Sequence, residues 1–237
     1  MIKKIRGIVV KEIAYKDTSK IIEVLTNDGI YSIIAKGSKK VSSPLFLGTT
    51  FLSYSEFCIY ESNKLSTLKS VSVINSFKNI MKDIIKLGAS SYLVNLCMQV
   101  YKQNKTNKIH DLLLLGISKI DSGINVVGIV NIIEIKLLKY LGLKLNLDEC
   151  VVCGSNNINY LSLDYSGYLC KNCSKISTDR RILKLIKLYD TVDLKKLDSF
   201  NVSNEILLVL DRFIDEYYVK YTGLYLDSKS FFKSVLF

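Results

Sequence analysis

Over the first third of the chain, apolar residues alternate with polar ones, and the apolar positions favour β-branched and aromatic side chains. Five such runs, Ile5–Lys11, Lys20–Thr26, Ile30–Lys36, Phe51–Tyr60 and Leu65–Ile74, predict β-strands. Asn27-Asp28-Gly29 suits a tight hairpin and Glu61-Ser62-Asn63-Lys64 a looser one. Five strands within residues 1–78 fit a small barrel such as an OB-fold, and equally a generic five-stranded barrel or sheet. From about residue 76 the period becomes helical: Phe77, Ile80, Met81, Ile84, Ile85, Leu87 and Gly88 lead into Tyr92, Leu93, Leu96 and Val100. A polar break at 102–108 precedes a second helix over Ile109–Ile120. A third runs from Val126 to Leu141, with Gly142 placed to stop it. It is apolar on nearly every face apart from Glu134, Lys136 and Lys139, which predicts a central place in a bundle. Thr178–Tyr189, Asn204–Tyr221 and Lys229–Leu236 also read as helices. The expected class is α+β multidomain, with domains at 1–78 and 79–237.

At 237 residues and 49% hydrophobic, the chain can bury a sizeable core, which excludes a wholly disordered protein. Thirty-three Lys and Arg against 22 Asp and Glu give a net charge of +11. Such a balance points to phosphates, in nucleic acid or at a membrane surface. Only Arg6, Arg180, Arg181 and Arg212 are arginine, and Lys, Ile, Asn and Tyr are all abundant, so a biased codon pool is an alternative explanation for part of the excess. The uncharged stretch Leu87–Tyr101 is too short and too polar to span a bilayer, so no membrane is expected as a partner. The N-terminus begins like a signal peptide, but no long apolar core or cleavage site follows, and a cytoplasmic location is expected. A reducing compartment makes disulfides a poor explanation for the six cysteines.

No phosphate-binding loop, dinucleotide fingerprint, nucleophile elbow or EF-hand is present, and His110 is the only histidine. Enzymatic readings therefore start weak. Four cysteines form Cys150-Val151-Val152-Cys153 and, sixteen residues later, Cys170-Lys171-Asn172-Cys173. This spacing favours one zinc ion per chain over a pair of redox dithiols. Two thiolates in each knuckle turn complete a tetrahedron when the intervening hairpin, turning at Asp164-Tyr165-Ser166-Gly167, brings the knuckles together. Four thiolates leave no open position for water, so the metal is expected to be structural and a zinc hydrolase is excluded. Helical sequence on both sides makes the element a ribbon inserted at about residues 148–176. Cys58 and Cys97 read as buried core residues.

The ordered series of local matches resembles the RecO family of bacterial recombination mediators. Gly7-Ile8-Val9-Val10-Lys11 and Tyr15–Ile22 are similar to the family's first two strands and their connecting loop. Asn27-Asp28-Gly29 followed by Ile34–Lys40 is similar to its third strand and basic loop. Leu141-Gly142-Leu143 leading into Asp148–Gly154 matches its entry into the ribbon, and Leu226–Phe232 its C-terminal signature. The resemblance implies an OB-fold barrel, a helical bundle with an inserted four-cysteine zinc ribbon, and a non-enzymatic role. It implies a DNA repair and recombination mediator that binds single- and double-stranded DNA and anneals complementary strands. With RecR, such a protein helps load RecA onto DNA coated by single-strand-binding protein, whose acidic C-terminal tail it receives on the helical domain. A nucleoid-associated bacterial location goes with that role. A zinc-ribbon RNA- or ribosome-binding protein would share the charge and the cysteines.

Residues 1–80 carry twelve Lys and Arg against six Asp and Glu. Candidate DNA contacts are Arg6, Lys16, Lys20, Lys36, Lys39 and Lys40 in the barrel, and Arg180 and Arg181 just after the ribbon. Lysines meet phosphates as mobile point charges without reading base edges. Lys36, Lys39 and Lys40 also fit a solvated loop, and the arginine pair could hold a carboxylate within the helical domain. Tyr15, Tyr31, Phe51 and Tyr54 offer stacking faces, or simply fill the barrel.

Overall fold

The computed structural model describes residues 1–224 and 227–236. Leu226, the first residue of the C-terminal signature, lies outside the described residues. Two compact units are present: residues 1–83 with 105–121, and residues 84–104 with the chain from 122 onward.

In the first unit, strands β1 (Ile2–Tyr15), β2 (Ser19–Thr26), β3 (Gly29–Ala35), β4 (Tyr54–Tyr60) and β5 (Ser66–Asn75) close a barrel in the order β1-β2-β3-β5-β4. All pairings are antiparallel except the short parallel contact of β3 with β5 at Ile33 and Ile34. This is an OB-like barrel. Inward residues Ile5, Val9, Ile22, Val24, Ile33, Phe57 and Ile59 fill it. β1 is longer than its alternation predicts because one strand serves two partners. Residues 2–8 pair with β4, residues 7–15 pair with β2, and a bulge between Val9 and Lys11 bends the strand. Gly7 belongs to both ladders, and a Cβ there would lie 2.4 Å from the Leu25 carbonyl oxygen. Only glycine allows that approach.

Several expectations are corrected here. The fourth strand begins at Tyr54, since Leu47–Thr49 form a 3₁₀ turn and Leu52 has φ 70°. Cys58 is half-exposed, because its β4 neighbours Phe57 and Ile59 point inward. Phe77 and Ile80 are buried but not helical: Phe77 has φ 46°, and Asp121 Oδ1 accepts from the amides of Asn79 (3.0 Å) and Ile80 (3.1 Å). Helix α1 (Ile84–Gln103) starts only after that turn. Helix α2 (Asn107–Asp121) groups with the barrel rather than with the other helices.

The second unit contains α1 and α3 (Val126–Leu138), then the hairpin β6 (Ile158–Ser162) and β7 (Gly167–Cys170). It continues with α4 (Arg180–Thr191), α5 (Asn204–Thr222) and α6 (Asp227–Leu236). Central α3 packs against α1, α4 and α5, and eleven of its thirteen residues are buried. A 3₁₀ turn over 139–141 extends it to Gly142, whose φ of 73° ends it. Glu134, expected on a polar face, is fully buried on α3. Its charge is met by Lys229 from α6, a pairing between residues 95 apart in sequence. No described helix is long and apolar enough to cross a membrane.

Candidate metal centre and basic surfaces

The cysteine cluster is built by two knuckles and a hairpin. In the first knuckle, the Gly154 amide donates to the Cys150 carbonyl (2.8 Å), and Gly154 adopts φ 71° so that the chain turns away. In the second, the amides of Cys173 and Ser174 donate to the Cys170 carbonyl at 3.1 and 3.0 Å. The first knuckle is joined to the hairpin by the Val151 amide, which donates to the Tyr168 carbonyl at 2.9 Å. Gly167 lies against Asn146, where a Cβ would come within 2.3 Å of the carbonyl oxygen.

Together these bonds bring the sulfurs of Cys150, Cys153, Cys170 and Cys173 within 4.8 Å of one another, with Cys153 and Cys170 at 3.5 Å. That separation is far beyond a disulfide bond. It suits the edge of a thiolate tetrahedron around an ion about 2.3 Å from each sulfur. Burial pushes the Cys150 thiol up, but the backbone N–H groups of Cys170, Val152 and Cys153 outweigh it and draw it down to about 6. The neighbouring thiols of Cys153 and Cys170 push Cys173 up to about 12, so the four titrate as a set. These residues could hold a metal ion, and four protein ligands would close its coordination shell.

The basic candidates of the barrel divide. The Lys39 amide donates to the Thr18 carbonyl (2.9 Å) and its ammonium to the Lys16 carbonyl (3.3 Å), holding the 36–40 loop against the β1–β2 turn. Lys16, Lys20 and Lys39 therefore come together, and the last two line an open groove with Glu12, Phe46 and Thr50. Lys20 is only 5% exposed; its ammonium pairs with Glu12 at 2.7 Å and sits 4.6 Å over the Phe46 ring. Lys36 and Lys40 are exposed and form no ion pair among the described residues. Arg6 is outside the groove, paired with Glu56 of β4 at 2.8 Å. Of the aromatics, Tyr15 is exposed, Phe51 is half-buried, Tyr31 packs on the barrel core and Tyr54 lies beside buried His110.

In the helical unit, Arg181 is forked onto Asp179, the N-cap of α4, through Nε and Nη2. Arg180 is exposed and lines a different surface, together with Lys184 and Lys187. Sequence reasoning passes over those two lysines; their spacing of four and seven residues from Arg180 is the one signal that marks them. A separate pocket of about 150 Å³ is lined by Tyr92, Leu96, Val219 and Leu224, with Lys229 and Lys233 facing Asp215 on its polar side.

A closed OB-like barrel, a helical unit and a four-cysteine ribbon able to hold a metal define a multidomain protein of the barrel-and-ribbon class. Residues 1–77 match the family model described as Recombination protein O N terminal, and residues 81–230 match Recombination protein O C terminal. The DNA repair protein RecO of Bacillus pumilus is 30% identical over 239 residues, covering 98% of this chain and 93% of that one. The DNA repair protein RecO of Shouchella clausii is 32% identical over 242 residues (98% and 94%), and that of Listeria monocytogenes 28% over 240 (98% and 94%). The chain belongs to the RecO family of DNA repair proteins.

Proposed function

We propose that this chain is a non-catalytic recombination mediator. In that role it binds single- and double-stranded DNA, anneals complementary strands and, with RecR, helps load RecA onto DNA coated by single-strand-binding protein. The observation that carries the reading is family similarity spanning both units, 98% of the chain, in a protein of net charge +11. Residues 1–78 serve as the nucleic-acid-binding domain, with exposed Lys16, Lys36, Lys39 and Lys40 as sequence-neutral phosphate contacts. Residues 79–237 serve protein partners. Reception of the single-strand-binding protein's tail on the helical unit is proposed from family similarity. The apolar pocket beside Lys229 and Lys233 has walls for a terminal side chain, but both ammoniums are already paired with Asp211 and Asp215 and leave no free cation there, among the described residues, for the tail's carboxylates. Zn²⁺ is the proposed ion of the cysteine cluster, because four soft thiolates in a tetrahedron favour it. A nucleoid-associated location in the cytoplasm follows from these roles.

The test is annealing of complementary oligonucleotides coated with single-strand-binding protein, read by fluorescence. Full-length chain should accelerate it, and Lys36→Glu/Lys39→Glu/Lys40→Glu should slow it. The triple variant should also lower the salt slope of single-strand binding, by about 0.7 for each phosphate that is no longer neutralised. A chain that binds RNA in preference to DNA and does not anneal would overturn the reading.

A further inference from the structure

α4 carries a cationic stripe that the ribbon turns into a groove. Arg180, Lys184 and Lys187 are exposed on α4, while Ile182, Leu183, Leu185, Ile186 and Tyr189 are buried. At about 100° per residue the three cations fall within roughly 60° of the helix circumference, and they span about 10 Å along its axis. Arg181 points elsewhere, forked onto Asp179. The opposite wall is the ribbon, which presents the exposed amides Asn156 and Asn157, and the groove between the walls has a volume of about 420 Å³.

The two walls are fixed to each other. The Tyr168 hydroxyl of β7 donates to the Leu183 carbonyl of α4. In the lead-in to α4, the Thr178 amide donates to the Asn159 carbonyl at 2.9 Å, and its hydroxyl accepts from the Leu161 amide at 3.0 Å. Among the described residues, the only acid on the groove is exposed Asp148, 3.5 Å from Lys187. Arg180 and Lys184 form no ion pair among those residues. The groove is thus a rigid, net-positive channel with amide donors on one side, and it offers no exposed aromatic face on which a base could stack. That chemistry suits a phosphodiester backbone and carries no sequence preference.

We propose that this ribbon–α4 groove is a second nucleic-acid backbone site, formed by Arg180, Lys184 and Lys187 and excluding Arg181. It rests on the DNA-binding role proposed above and adds to the barrel's contacts. The role of the ribbon is then to supply a wall of this site as well as to complete a fold.

Binding of full-length protein to labelled oligo(dT), titrated from 50 to 200 mM salt, tests the proposal. Arg180→Gln/Lys184→Gln/Lys187→Gln should lower the salt slope by about 2, near 0.7 per phosphate. Its loss of affinity should therefore be greater at 50 mM than at 200 mM. Arg181→Gln should leave the slope unchanged, and so should Val209→Ala, a solvent-facing control on α5. Unchanged far-UV circular dichroism would show that the triple variant folds; if it does not fold, the double variant Lys184→Gln/Lys187→Gln should lower the slope by about 1.4. A folded variant with the wild-type slope overturns the second site and leaves barrel binding intact. Wild-type protein with no salt-dependent binding at all overturns the DNA-binding reading itself. A variant that keeps oligo(dT) binding but loses annealing on coated strands also overturns this inference, assigning the stripe to a protein partner.

Discussion

Replacing Lys229 by Met tests whether the helical unit depends on an ion network that no local pattern reveals. The Lys229 ammonium from α6 meets Glu134 of α3 and both Asp211 (3.4 Å) and Asp215 of α5, while Lys233 meets the same two aspartates. The side chains of Glu134, Asp211 and Lys229 are 0%, 7% and 13% exposed, so solvent screens this site poorly. Three carboxylates face two ammoniums, and removing Lys229 leaves the Glu134 carboxylate, among the described residues, with only the Tyr92 hydroxyl, at 2.5 Å. Breaking a buried pair from one side costs about 3–5 kcal/mol, a large share of a typical stability of about 5–15 kcal/mol. With a slope near 3 kcal/mol per molar urea, the helical transition at 222 nm should move down by about 1–1.7 M. Burial already raises the Glu134 pKa above its ordinary 4.5, against the pull of Lys229. A folded-state pKa raised this way means that stability is lost as pH rises through it and regained on protonation. Without Lys229 the pKa rises further, so the deficit should be largest near pH 8 and shrink toward pH 5. Lys229→Met/Glu134→Gln should recover much of the loss at pH 8. A single variant within about 1 kcal/mol of wild type, with no pH dependence, would show that the helical unit does not rely on this network.

Other consequences follow from single contacts. Gly7→Ala forces a methyl against the Leu25 carbonyl and should destabilise the barrel by about 1–3 kcal/mol, read as a lower thermal midpoint. Asp121→Ala removes the side-chain acceptor of the Asn79 amide and one of the two acceptors of the Ile80 amide, which keeps the Phe77 carbonyl at 3.1 Å, and should cost about 0.5–1.5 kcal/mol by urea denaturation, whereas Lys108→Ala, at an exposed position of the same helix, should not. Cys170→Ser should abolish stoichiometric zinc by elemental analysis and destabilise the ribbon. Wild-type protein purified without metal, with all four thiols freely titratable, would contradict the zinc assignment.

The strands, most of the helices and the four metal-ligating candidates are legible in the sequence, because each of these is a short-range signal. Alternation places Phe57 and Ile59 inward, Gly142 stops a helix where a left-handed residue is needed, and two CxxC pairs need only a hairpin between them to converge. The RecO resemblance was legible for a related reason, since its matches are local motifs in a fixed order. Features that depend on neighbours distant in sequence emerge only when the elements pack. Phe77 and Ile80 keep a helical spacing but form a turn because Asp121 takes up the backbone donors of Asn79 and Ile80. Charge pattern alone did not distinguish Lys20, buried against Glu12 and Phe46, from exposed Lys36 and Lys40. Nor did it show that Arg181 is held by Asp179 while Arg180 joins Lys184 and Lys187. Glu134 reads as an ordinary polar position until Lys229 arrives from α6. A periodic pattern reports which face of an element is buried, but the partner that makes a buried charge tolerable is chosen only when the elements pack.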